Sequence, residues 1–223
     1  MYKIQKYNWN DRHKIFFSTD WHIFHDPSWT VPIWEARGYL NAMDAAERTK
    51  DKINERVGAD DYLYYFGDMF LNASDEQCLS WLSDIKCQNI IYLFGNHESN
   101  MYRLYKQAVK DRFAFIDDVT EVYPIRMNNV IFAGNHVEIR VGKQHISMNH
   151  FPQHSWNHMN PRAKSWCLSG HSHNSDRTRN PDSPTNRCLD CSWDWKKDVW
   201  SWTDIEDVMS TKTFVAVDHH KDA

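Results

Sequence analysis

The first half of the chain alternates short apolar runs with stretches of helical period. Lys14-Ile-Phe-Phe-Ser-Thr, Asp61-Tyr-Leu-Tyr-Tyr-Phe and Asn89-Ile-Ile-Tyr-Leu-Phe are rich in β-branched and aromatic residues, and each stops at a Gly or an acidic residue. That is the pattern of buried strands. Between them, Leu40, Met43, Ala46, Ile53 and Val57 recur at spacings that mostly suit one helical face, predicting a helix over 38–57. Ser74 and Gln77 have capping-box spacing and predict a helix from there to Ile85. A third helix is predicted over 100–112. Strands alternating with helices imply a parallel sheet, and ligands gather at the carboxyl ends of such strands.

The second half changes character. Residues 121–127, 130–133, 137–141 and 145–150 are short runs joined by Asn-Asn or Gly-Lys turns. Val137-Glu-Ile-Arg-Val alternates apolar with polar, as a half-exposed antiparallel strand does. Residues 165–169, 186–192 and 213–217 predict further strands. The expected fold is mixed α/β: two sheets packed face to face as a sandwich, flanked by helices, in a single domain over 1–223.

Composition narrows the function. A net charge of −4 argues against a protein living on nucleic acid through a basic surface. No run approaches the roughly 18 to 20 apolar residues of a membrane span, so no membrane partner is expected. The opening Met1-Tyr-Lys-Ile-Gln-Lys-Tyr-Asn has no apolar leader core. The five cysteines, Cys78, Cys87, Cys167, Cys188 and Cys191, are an odd number. Free thiols in a reducing, cytoplasmic setting are the economical expectation.

Thirteen histidines against seven glycines invite a search for clustering. Asp20-x-His22 follows the first strand, Gly67-Asp68 the second, and Gly95-Asn96-His97-Glu98 the third. Asn149-His150 follows the strand near 145, and Gly170-His171-Ser-His173 the strand near 165. Carboxylate and imidazole donors suit divalent Mn, Fe, Zn, Ni or Co. A glycine before Asp68, Asn96 and His171 permits positive φ or close backbone approach, so that side chains from several strand ends can converge.

This ordered set resembles the calcineurin-like metallophosphoesterase superfamily, whose parts are D-x-H, G-D, G-N-H-[D/E], a lone H and G-H-x-H. All five are present in order between residues 20 and 173, and Arg187-Cys-Leu-Asp-Cys-Ser-Trp-Asp-Trp is similar to the closing strand of small stand-alone members. The resemblance implies two adjacent divalent cations, manganese first among the candidates. The first would take Asp20, His22, Asp68 and His173; the second Asp68, Asn96, His150 and His171, with Asp68 bridging. His97 would sit beside the substrate phosphate together with Asn96, and Glu98 would orient His97 or its loop. The implied reaction is hydrolysis of a phosphodiester or phosphomonoester, a hydroxide between the cations attacking phosphorus in line. Two cations, two aspartates and that hydroxide leave about one positive charge to receive an anionic phosphoryl group. A nucleotide or another small organophosphate is the implied substrate. A nuclease with the same site, or a scaffold of little activity, are the alternatives. The oligomeric state stays open.

Other features carry blander readings. Gly134-Asn135-His136 lacks the following acid and reads as a turn or bulge. His25 reads as a surface-loop residue, His154 and His158 as local packing, and Arg162, Arg177 and Arg179 as solvated. A basic patch of Lys106, Lys110, Arg112, Arg162 and Arg179 would be the footing for a nuclease. Trp193 and Trp195 are expected on one strand face, in a run that covers a core edge or forms an interface, and the lone Cys188-x-x-Cys191 pair does not make a zinc knuckle.

Overall fold

The computed structural model describes residues 4–113, 124–160, 162, 164–184 and 186–214. In chain order its elements are β1 (Gln5–Tyr7), β2 (Ile15–Ser18), α1 (Ile33–Ala36), α2 (Ala42–Arg56), β3 (Tyr62–Tyr65), α3 (Asp75–Ser83), β4 (Asn89–Leu93) and α4 (Ser99–Arg112). Then come β5 (Ile125–Met127), β6 (Val130–Gly134), β7 (His136–Val141), β8 (Gln144–Asn149), β9 (Trp166–Ser169), β10 (Cys188–Asp190), β11 (Trp200–Ser201) and α5 (Trp202–Thr211).

Two sheets result. The first has the order β11-β2-β3-β4-β6-β5, with β2, β3, β4 and β6 parallel and the two edge strands antiparallel. The second has the order β1-β7-β8-β9-β10, antiparallel only between β7 and β8. The period-2 alternation of β2 divides the core. Ile15 and Phe17 face Ile139, Ile146, Met148 and Leu168 between the sheets, where α5 adds Trp202, Ile205 and Met209. Phe16 faces the other way, into a core shared with Ala46 and Ile53 of α2, Trp81 and Leu82 of α3, and Leu104 and Tyr105 of α4. This is the expected pair of sheets flanked by helices. Because both faces of the first sheet are covered, its strands read as unbroken apolar runs rather than alternating ones.

Several expectations change. The helix expected over 38–57 begins only at Ala42, where Asn41 Oδ1 accepts from Asp44 N. Leu40 and Met43 are exposed, at 75% and 56%; the inward stripe is Ala46, Thr49 and Ile53, with Val57 just beyond the helix. Run 130–133 joins the first sheet, parallel to β4, rather than the antiparallel second half. Gly134, at φ 101°, follows a register shift against β4, so Gly134-Asn135-His136 is a bulge, as its sequence suggested. Trp193–Trp195 forms a 3-10 turn, not a strand, so these two rings do not share a strand face. Of the runs 121–127 and 213–217, residues 121–123 and 215–217 lie outside the described residues. The short strands β1 and β11 and helices α1 and α5 had no clear apolar period to announce them.

Candidate metal centre

Every candidate side chain leaves the carboxyl end of a strand. Past the ends of β2 and β3 the two loops stay laced together: Asp20 N donates to Gly67 O and His22 N to Asp68 O, both at 3.1 Å. Tyr65 Oη accepts from Trp21 N at 2.9 Å. Asp20, His22, Asp68, His171 and His173 all have positive φ, between 45° and 66°. Each such residue costs about 1–2 kcal/mol, so the surrounding hydrogen bonds must over-determine the conformation, as they do where strain serves a site. The three glycines divide the two roles foreseen for them. Gly67 itself takes φ 97°. Gly95 and Gly170 are needed for closeness: a Cβ on Gly95 would strike the Asp68 carboxylate, and one on Gly170 would strike Thr19 and Asp20.

The donor atoms converge. Asp20, His22 and His173 form one group that could hold a metal ion, and Asp20, Asp68 and His150 another; within each, the atoms lie inside 4.8 Å of one another. His22 Nε2 is 3.1 Å from His173 Nε2, 3.8 Å from Asp20 Oδ1 and 3.9 Å from Asp68 Oδ2. His150 Nε2 is 3.5 Å from Asp68 Oδ2 and 2.8 Å from Asn96 Oδ1, which lies 2.9 Å from His171 Nδ1. Each aspartate is half engaged. Asp68 Oδ1 accepts from His97 N at 2.8 Å and Asp20 Oδ2 from His171 N at 3.0 Å, leaving the other oxygen of each for the centre.

The chemistry of these donors fits a cation. Asp20 Oδ1 is buried with no hydrogen-bond partner. His150 Nδ1 donates to Phe66 O at 2.7 Å, so neutral His150 aims the lone pair of Nε2 at Asn96 Oδ1, another acceptor. A divalent ion resolves such a meeting of lone pairs. Burial holds the Asp20 carboxyl up to about 7, and Asp190 and Asp68 push the same way, against His173 and the His171 amide. Burial lowers His22 and His150, favouring neutral imidazoles. His173 moves up: burial opposes this, but the Asp194 and Asp20 carboxylates outweigh it.

The profile of the calcineurin-like phosphoesterase family matches residues 13–223. The chain belongs to that family. A solved structure of a protein of unknown function from Aquifex aeolicus, AQ665, is similar in fold, with a TM-score of 0.55 and 15% identity over 87% of this chain and 98% of that one. No curated protein matches the chain significantly.

Around the centre of this calcineurin-like phosphoesterase, His97 is exposed, its ring 5.7 Å from that of His22. Of the two roles expected for Glu98, orienting His97 or its loop, its hydrogen bonds serve the loop. Glu98 clamps the two loops, accepting from Asp68 N and Gly95 N at one oxygen and from Tyr92 Oη at the other. The expectations for His25 and Arg179 are corrected, and those for Arg162, Arg177 and His158 hold. His25 is buried, its Nδ1 accepting from Ile33 N. Arg179 is buried too, donating to Asp176 and to Gln153 O, while Arg162 and Arg177 are exposed. His158 packs on His145, ring centroids 4.0 Å apart, and His154 is exposed. Sequence reasoning missed Arg37, Asp190 and Asp194. Asp190 ties down the 171–174 turn by accepting from Ser172 Oγ and Asn174 N. The only signal was an acid at 190 and another at 194, inside the closing stretch.

Proposed function

We propose that this phosphoesterase uses two divalent cations, manganese first among candidates, to hydrolyse a small phosphoester, a nucleotide being the favoured class. Asp20, His22, Asp68 and His173 would hold one ion; Asp68, Asn96, His150 and His171 the other. The observation that carries this is the meeting of acceptors on Asp68 Oδ2, Asn96 Oδ1 and His150 Nε2, beside the unpartnered Asp20 Oδ1. When bound, such ions supply Lewis-acid charge to a phosphoryl group and bring the pKa of water toward about 7.

The chain's own residues do the rest. Asp68 Oδ2 faces both groups of donors, and His97 N and Glu98 keep its carboxylate and backbone in place. The exposed His97 ring stands on the open side, where it can hold or give a proton to a leaving alkoxide. Phe151, 47% exposed, lies against His171 with centroids 4.7 Å apart and offers an aromatic face to a nucleobase. Five buried free thiols support a reducing, cytoplasmic location. The nuclease reading loses ground, because Arg179 is buried and committed, leaving Lys106, Lys110 and Arg112 of α4 with Arg162.

A screen of the purified protein with Mn²⁺ tests the reading. It compares a generic monoester, a generic diester, cyclic nucleotides and nucleoside monophosphates. Metal-dependent turnover of one of these is expected, and no hydrolysis of any would overturn the proposal in favour of the inactive scaffold.

A further inference from the structure

Arg37 belongs to none of the strand-end motifs, yet it is buried and its guanidinium serves two structures at once. Nη1 donates to Trp21 O and Nη2 to Asp20 O, both at 2.6 Å. Nε and Nη2 also donate to Asp194 Oδ1 and Oδ2, each at 2.9 Å. This two-pronged grip suits a planar guanidinium and not an ammonium. Asp194 Oδ2 accepts in turn from His173 Nδ1 at 2.7 Å. One side chain therefore ties the Asp20–His22 segment to His173.

Both ends of that tie need holding. Asp20 and His22 are left-handed, at φ 59° and 50°. Gly67 O and Asp68 O hold their amides, and Arg37 holds the carbonyls of Asp20 and Trp21. His173 has a side chain 35% exposed, so packing alone does not lock its ring. The bond to Asp194 puts the proton on Nδ1 and leaves Nε2 facing Asp20 Oδ1 at 3.6 Å and His22 Nε2 at 3.1 Å. A carboxylate behind a ligating imidazole is a recognised way to fix tautomer and ring orientation.

Asn96, His150 and His171 are set by other groups. His150 is fixed by Phe66 O. Among the described residues, neither Arg37 nor Asp194 makes a hydrogen bond to any of these three. The direct link across is the His171 amide on Asp20 Oδ2.

Resting on the two-cation reading above, we propose that Arg37 and Asp194 are positioning residues for one cation alone. The pair pre-sets Asp20, His22 and His173 and thereby sets the affinity of that site, while the site of Asn96, His150 and His171 is independent of it. The two ions are then held with separately tunable strength.

Calorimetric titration of the metal-free, full-length protein with Mn²⁺ tests this, backed by metal content after gel filtration. His173→Ala and His150→Ala mark the two binding events. Arg37→Lys and Asp194→Asn are expected to weaken the event that His173→Ala removes by about tenfold to a hundredfold, and to leave the other within about twofold. Circular dichroism and the metal-free melting temperature report folding. If Arg37→Lys fails to fold, Asp194→Asn carries the test, since it keeps the shape while removing the charge and one of the two oxygens that accept from Arg37 and His173. Two events unchanged in the variants, or both weakened alike, would overturn the inference while leaving the two-cation reading standing. A wild-type protein that binds no Mn²⁺ would overturn both.

Discussion

Asp20 is a carboxylate placed where only a positive charge makes it comfortable. It is fully buried, one oxygen has no partner, and two further aspartates crowd it. His97 is its opposite: exposed, and anchored through its backbone on Asp68. The two should therefore respond differently to mutation. His97→Ala is expected to lower turnover by about a hundredfold or more with metal content unchanged; loss of the metals in that variant would show that His97 holds the site together instead. The cysteines make a separate prediction. Burial pushes the thiols of Cys78 and Cys167 up to about 12 and that of Cys87 to about 11, and raises Cys188 and Cys191 as well. Thiolate is the reactive form. A disulfide reagent at pH 8 is thus expected to leave the native protein unlabelled and to label it in denaturant, and fast labelling of the native state would contradict the packing described.

At the scale of elements, the strand ends carry the chemistry and the turns behind them carry the cost. Gly95→Ala drives a methyl group into Asp68 and His150 without demanding an unusual φ. The fold is expected to survive by circular dichroism, and Mn²⁺ retention after gel filtration to be lost; retention at the wild-type level would mean the loop can yield. On α3, Ser74 and Gln77 form both bonds of a capping box. Ser74→Ala is expected to cost about 1 kcal/mol in denaturant unfolding without changing metal content. These are the elements the sequence made legible, because strand period, glycine and ligand type fall within a few residues of one another. Arg37 and Asp194 were not legible, since the two partners stand 157 positions apart in the chain and neither has a local pattern. Leu40 and Met43 misled for the same reason in reverse. Their spacing suited a helical face, but the cap at Asn41 left Leu40 ahead of the helix, and Met43, in its first turn, lies off the buried stripe of Ala46, Thr49 and Ile53. The tryptophan run hid the start of α5, where Ser201 caps a helix through Asp204. Aromatic density masked the polar punctuation that marks helix ends.

Across the whole molecule, an acidic chain presents a site built to gather positive charge. The net charge is −4, and the buried carboxylates of Asp20 and Asp68 stand at the junction of the two sheets' strand ends. The first sheet supplies Asp20, His22, Asp68 and Asn96, and the second supplies His150, His171 and His173. The centre therefore exists only when the sandwich is closed, which couples metal binding to folding. Metal content per chain, measured on wild type and Asp68→Ala after loading with Mn²⁺ and gel filtration, tests this most directly. Two ions per wild-type chain are expected, with loss of both when the shared carboxylate is removed. A wild-type chain that holds none, or an Asp68→Ala chain that still holds two, would contradict this.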